Sequence, residues 1–360
     1  MVASELLDRF HGALAGGAIG DAMGAPVENW HYTDIRHRYG RVTAFLPQPA
    51  RSRDGAPGQI TDDSTLRHYL CLAIAEKPGR ITPEDYARVW LERLNPDRVF
   101  ATERIVLEKL RLGMSPWDTG RGQPLADAAI MSIAPIGLIN AGDPAQAYQD
   151  GFAIALIHQD GIERDAAATL AAATAAAVVP GASVGALVDT MREHSTFEVR
   201  RLIEAAVGLA DGADTVDEFV TAFYATMLDR SFPLPPGESW DPERSVSPTS
   251  REVLPAVVGL LLLCDGDVER CIVEGASFGR DADTIATVLG GLAGALRGAA
   301  AIPTEWIAAS ERANASFFAE VGSDPEAGFA AMAGRLVAAL EAERRRVHDR
   351  DVAVAALLAG

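Results

Sequence analysis

Residues 61–63 read Thr-Asp-Asp and residues 281–284 read Asp-Ala-Asp-Thr, each at the start of an apolar, helix-forming run. Adjacent carboxylates repel one another, and a helix start needs only one capping oxygen, so the surplus oxygens ask for another use. The two clusters lie 220 residues apart (281 − 61), so only the fold can bring them together. Facing each other, Thr61, Asp62 and Asp63 with Asp281, Asp283 and Thr284 would surround a pair of ions. All of these donors are oxygens, which selects hard cations such as Mg²⁺ or Mn²⁺ over Zn²⁺. Such cations would also relieve the repulsion among four crowded carboxylates. Taken singly, each cluster also reads as a helix N-cap with acids in the first turn, which the helix dipole favours. A third stretch, GDAMGAPVE (20–28), adds a Gly-Asp turn, a proline that stops a helix, and Glu28. Taken alone, Glu28 reads as a solvated loop acid and Asp21 as a turn residue bonded to backbone; beside the two clusters, Glu28 is a further candidate site acid and Asp21 a candidate second layer behind it.

The elements that must position these groups are helical. Segments such as DAAATLAAATAAAVV (165–179) are built from helix formers, and no Pro/Gly/Ser-rich linker divides the 360 residues. Helices are predicted at about 4–19, 62–76, 82–94, 101–112, 125–141, 143–158, 162–179, 183–194, 196–210, 215–228, 249–264, 267–277, 282–299, 304–315 and 324–345. Residues 24–59 read as a long surface loop, and the proline-rich stretch 230–250 as a second. These elements predict one all-α domain over 1–360, with its core at about 5–310 and the helices of 304–345 packed on it. The charge of −18, from 50 acidic and 32 basic residues, argues against nucleic acid or an anionic membrane as partner. Cys71, Cys264 and Cys271 have no zinc spacing, so free thiols in a reducing compartment are expected. Cys71 falls on the buried face of its helix and is not expected to be a nucleophile. The start MVASELLDRF shows no signal-peptide pattern, and the apolar run VLPAVVGLLLLC (253–264) is too short to span a bilayer. A cytoplasmic protein is expected.

Together, GALAGGAIGDAMGAPVE, QITDDSTL and GRDADTIATVLGGLAGALRG resemble the ADP-ribosylglycohydrolase family, with the motifs in order over roughly residues 5–310. The resemblance implies a compact all-α orthogonal helical bundle around two Mg²⁺ or Mn²⁺ ions. It implies that Thr61, Asp62, Asp63, Asp281, Asp283 and Thr284 are ligands, that Asp62 and Asp283 take part in catalysis, and that Glu28 orients or deprotonates the attacking water. The reaction implied is hydrolysis of the N- or O-glycosidic bond of an ADP-ribosylated protein or another ribosylated compound. The family also contains crystallin-type members, so a non-catalytic ligand-binding role is the alternative. The family's middle motif corresponds to ADAAIMSIAP (126–135), which makes Asp127, Met131 and Ser132 expected substrate contacts, along with His158 of LIHQD (156–160). Asp127 stands where asparagine is common, Ser132 where arginine is common, and Arg280 where glycine is common. An acidic, arginine-poor pocket suits a smaller ribosylated molecule, such as a nucleoside, better than one bearing a diphosphate.

Overall fold

The computed structural model describes residues 2–48, 55–228, 248–323 and 328–359. Among them eighteen α-helices follow one another and no strand occurs. The first are α1 (Val2–Gly24), α2 (Tyr32–Tyr39) and α3 (Asp62–Glu76), which carries the first acidic motif at its start. Helix α4 (Pro83–Arg93) begins with a capping box made by Thr82 and Asp85, and a 3-10 turn at Pro96–Arg98 leads to α5 (Ala101–Arg111). Then come α6 (Ala128–Ser132), α7 (Ala134–Ile139), α8 (Pro144–Ala155) and the alanine-rich α9 (Ile162–Ala177). Helices α10 (Val184–His194), α11 (Phe197–Asp211) and α12 (Val216–Thr226) complete the first part of the chain. After residue 248 follow α13 (Ser250–Leu263), α14 (Val268–Ala276), α15 (Ala282–Arg297), α16 (Thr304–Ala313), α17 (Ala315–Glu320) and α18 (Gly328–Ala359).

Helices α9 and α15 are buried along nearly their whole length, and α1, α3, α6, α7, α8, α10, α11, α13 and α14 pack on one or both of them. Small residues make that possible, because alanine and glycine let neighbouring backbones come close. On α1, Gly12, Gly16, Gly20 and Gly24 recur every fourth residue and so share one face. They meet Gly294, Gly290, Ala286 and Ala282 of α15 in reverse order, so the two helices run antiparallel. A methyl group on Gly16 would lie 2.4 Å from the Gly290 carbonyl oxygen, and one on Gly24 2.4 Å from that of Ala282. This contact lays the end of α1, with Asp21 and the turn to Glu28, against the start of α15, with Asp281 and Asp283.

Several boundaries differ from the sequence expectation. Helix α1 runs to Gly24 rather than ending near Ile19, because its glycines pack on α15 instead of fraying. The predicted loop 24–59 contains α2, capped by His31 and burying only Ile35. The helix expected at 125–141 is two short helices meeting at Ile133, with Pro135 in the first turn of the second. Helix α18 continues from 345 to Ala359, and its earlier part buries Phe329, Met332, Leu336 and Leu340. Most of the predicted loop 230–250 lies outside the described residues. All three cysteines are buried free thiols, and burial pushes Cys71 up to about 12. Among the described residues no helix is long and apolar enough to cross a membrane.

Candidate active site

The two acidic motifs meet. Thr61 caps α3, its hydroxyl accepting the Asp63 N–H at 3.4 Å, so the helix start fixes both aspartates. Asp21, fully buried on α1, holds that start in place. It accepts the Thr61 N–H at 3.1 Å, the Thr61 hydroxyl at 2.8 Å and the Ser64 N–H at 3.0 Å. The helix-capping reading of Thr61 is therefore correct as far as it goes, but it leaves Asp63 Oδ1 buried without a partner.

The second motif is tied to the Glu28 turn by two backbone hydrogen bonds. Asn29 N–H donates to the Arg280 carbonyl and Arg280 N–H to the Trp30 carbonyl, each at 2.8 Å. Arg280 takes up φ +53°, and its fully buried guanidinium grips the equally buried Glu252 of α13 at 2.5 and 2.9 Å. Arg280 is thus an ion-pair partner inside the protein. Glu28 ends the 3-10 turn Ala25–Val27, half-buried, with the Asn29 amide donating to it at 3.2 Å.

Electrostatics record how close the acids stand. Burial raises Asp63 well above the usual carboxylate range, and the Asp283 charge is the next largest push, from the motif 220 residues away. Asp283 is raised in turn by burial and then by Glu28. Burial and the neighbouring Asp127 raise Asp281, and burial raises Asp127 itself. Asp62 is pushed up to about 7 by burial, then by Glu103 of α5. Four buried carboxylate oxygens, one each on Asp63, Asp127, Asp281 and Asp283, have no hydrogen-bond partner. All these groups line one cavity of about 510 Å³, with Thr61, Thr284 and Met131.

Oxygen donors that repel one another, some of them orphaned, suit divalent hard cations in kind. As arranged, no group of three or more His, Cys, Asp or Glu side chains among the described residues is gathered closely enough to hold a metal ion.

Two expected substrate contacts lie elsewhere. The Ser132 hydroxyl turns back to donate to the Ala128 carbonyl at 2.8 Å within α6, and Ser132 does not line the cavity. His158 is enclosed by Trp90 and Tyr86, with ring centroids 5.1 and 5.9 Å away, and burial pushes it down to about 3. It too lies outside the cavity wall. Conversely, Phe100 and Glu103 line the cavity although their sequence context gives no sign of it. Glu103 reads there as an ordinary first-turn helix acid.

A protein of uncharacterised function from Escherichia coli K12, YegU, is 26% identical over 317 residues, covering 82% of this chain and 89% of that one. An uncharacterised protein of Archaeoglobus fulgidus is 26% identical over 312 residues, covering 83% and 90%. The ADP-ribosylhydrolase ARH3 of Bos taurus is 24% identical over 338 residues, covering 84% of this chain and 89% of its own length. A solved structure of an ADP-ribosylglycohydrolase-related protein complex shares the fold, with a TM-score of 0.66 at 21% identity, over 94% of this chain and 99% of that one. The family model for ADP-ribosylglycohydrolases matches residues 3–346, nearly the whole chain and both acidic motifs with it. The chain belongs to the ADP-ribosylglycohydrolase family.

Proposed function

We propose that the chain is a cation-dependent glycosidase that hydrolyses the N- or O-glycosidic bond of a ribosylated substrate. The observation that carries this reading is the convergence of Asp63 and Asp283, 220 residues apart in sequence, in one cavity with Glu28. Thr61, Asp62 and Asp63 would hold two Mg²⁺ or Mn²⁺ ions from one side, and Asp281, Asp283 and Thr284 from the other. When bound, the ions would neutralise these acids and fix the ribose hydroxyls.

Glu28 is the base. It is half-buried at the edge of the acids, and its charge is the largest neighbouring push on Asp283. It takes the proton of a water whose oxygen attacks the ribose C1, while the C1–N or C1–O bond breaks and the leaving group departs with its electron pair. Asp21 keeps the start of α3 in register through its three donors. Asp127 and Met131 contact substrate from the wall opened by α6, and Ser132 and His158 carry no such role. The three buried free thiols agree with the expected cytoplasmic setting.

The test is turnover in Mg²⁺ or Mn²⁺ on ADP-ribosyl-arginine, ADP-ribosyl-serine, O-acetyl-ADP-ribose and a panel of nucleosides. Cation-dependent release of ribose or ADP-ribose from any of them supports the reading. Cation binding without turnover on the whole panel would instead make the chain a non-catalytic binder.

A further inference from the structure

One wall of the cavity belongs to neither acidic motif. Residues 97–104, running from the 3-10 turn into α5, bring Phe100, Thr102 and Glu103 to it. Glu103 is only 1% exposed, and no cation among the described residues pairs with it. Both its carboxylate oxygens accept from the single hydroxyl of Thr102, at 2.8 and 2.9 Å. The Glu103 backbone N–H bonds the carboxylate as well, so this buried acid is met only by neutral donors from its own turn and by no counter-charge. Asp127 lines the same cavity at 6% exposure, and its Oδ2 has no partner. Two apolar side chains line the same cavity: Phe100, which leaves 62% of its surface open, and Met131 with its thioether.

We propose that residues 97–104 form the leaving-group subsite, and that it takes a nitrogen heterocycle of the nucleobase class. The ring stacks on Phe100 while its in-plane N–H groups donate to Glu103 and Asp127. Such a ring complements these walls, with donors round its edge for the acids and apolar faces for Phe100. The charge pattern favours a nucleoside over a diphosphate-bearing substrate. Eight acidic side chains line the cavity against two arginines. Arg98 gives Nε and NH2 to Glu320, and Arg104 gives Nε to the carbonyls of Pro96 and Val99. The subsite rests on the reading that the two acidic motifs hold the ribosyl end.

The test is calorimetric titration of the Mn²⁺-loaded full chain with adenosine, inosine, cytidine, ADP-ribose, methylguanidine and free ribose. At least one nucleoside should bind more tightly than ADP-ribose. Glu103→Gln and the exposed change Phe100→Ala should each weaken that nucleoside at least tenfold, with ribose changing less than twofold. Binding of no nucleoside, equal binding by wild type and both variants, an equal loss for ribose, or binding of methylguanidine alone would overturn the subsite. Absence of Mn²⁺ binding in the wild type would instead remove the cation-centre reading beneath it.

Discussion

The contact between α1 and α15 sets the spacing of the acids, and Gly20→Ala tests it. A methyl group at Gly20 would stand 2.1 Å from the Ala286 carbonyl oxygen and 2.5 Å from its carbon. The opposing atoms are backbone, so no side chain can turn aside, and the helices must separate by roughly 1 Å to restore ordinary contact. Overpacking of this kind costs about 1–3 kcal/mol, and a rigid backbone neighbour places Gly20 at the upper end. Alanine returns about 1 kcal/mol in helix propensity, leaving a net loss of about 2 kcal/mol. Gly208 is the control: it lies in α11 with nothing within 4 Å of a methyl group, so Gly208→Ala should gain about 1 kcal/mol. The two variants should therefore differ by about 3 kcal/mol. For 360 residues the unfolding entropy is about 0.8 kcal/mol/K, so Gly20→Ala lowers Tm by only about 3 °C. Urea titration resolves the difference better. Mn²⁺ affinity should fall in Gly20→Ala and hold in Gly208→Ala, because only the former moves Asp283 relative to Asp21 and Glu28. Equal stabilisation of both variants would refute the close approach.

Other outcomes follow from the same geometry. Glu252→Gln, or Arg280→Gly alone, breaks a fully buried ion pair and should cost about 3–5 kcal/mol in urea unfolding. The double variant should recover part of this, since glycine also suits φ +53° at residue 280; strictly additive losses would contradict the pairing. Without metal, folded acids raised above their unfolded values bind more protons than the unfolded chain, so stability should fall as pH rises. The clean window opens above about pH 6.5 and includes the titration of Asp62 near 7. Below it, His68 and His158, both pushed down to about 3 by burial, pull the other way. Scanning calorimetry in EDTA should thus show Tm dropping from pH 6.5 to 8, and a rise would count against the acid cluster. Glu28→Gln should cut kcat by about 10²–10⁴ with Mn²⁺ affinity nearly unchanged, and full turnover would remove Glu28 as the base.

Much of this was legible in the sequence, because the motifs carry it in residue type. Thr61, Asp62 and Asp63 announce surplus oxygens at a helix start, and GRDADT repeats the signal downstream. The recurring glycines of α1 indicate close packing, though not the partner that keeps them helical to Gly24. Helix α2 stayed hidden because it buries only Ile35 and so shows no apolar period. Ser132 and His158 lie outside the cavity wall, which their positions in the motifs do not foretell, because a motif does not say which way a side chain faces. Ser132 bonds its own helix, and His158 fills a gap between Trp90 and Tyr86. Glu103 and Phe100 have no local signal at all, and only tertiary packing brings α5 to the cavity.

The proposed cation centre needs both acidic motifs at once, brought together by the fold. Calorimetric titration of the full chain with Mn²⁺ tests it most directly. Two ions per chain are expected in the wild type, with stoichiometry or affinity collapsing in both Asp63→Asn and Asp283→Asn, one variant from each motif. A wild type that binds no Mn²⁺, or an Asp283→Asn variant that binds it as the wild type does, would rule out a centre shared by the two motifs.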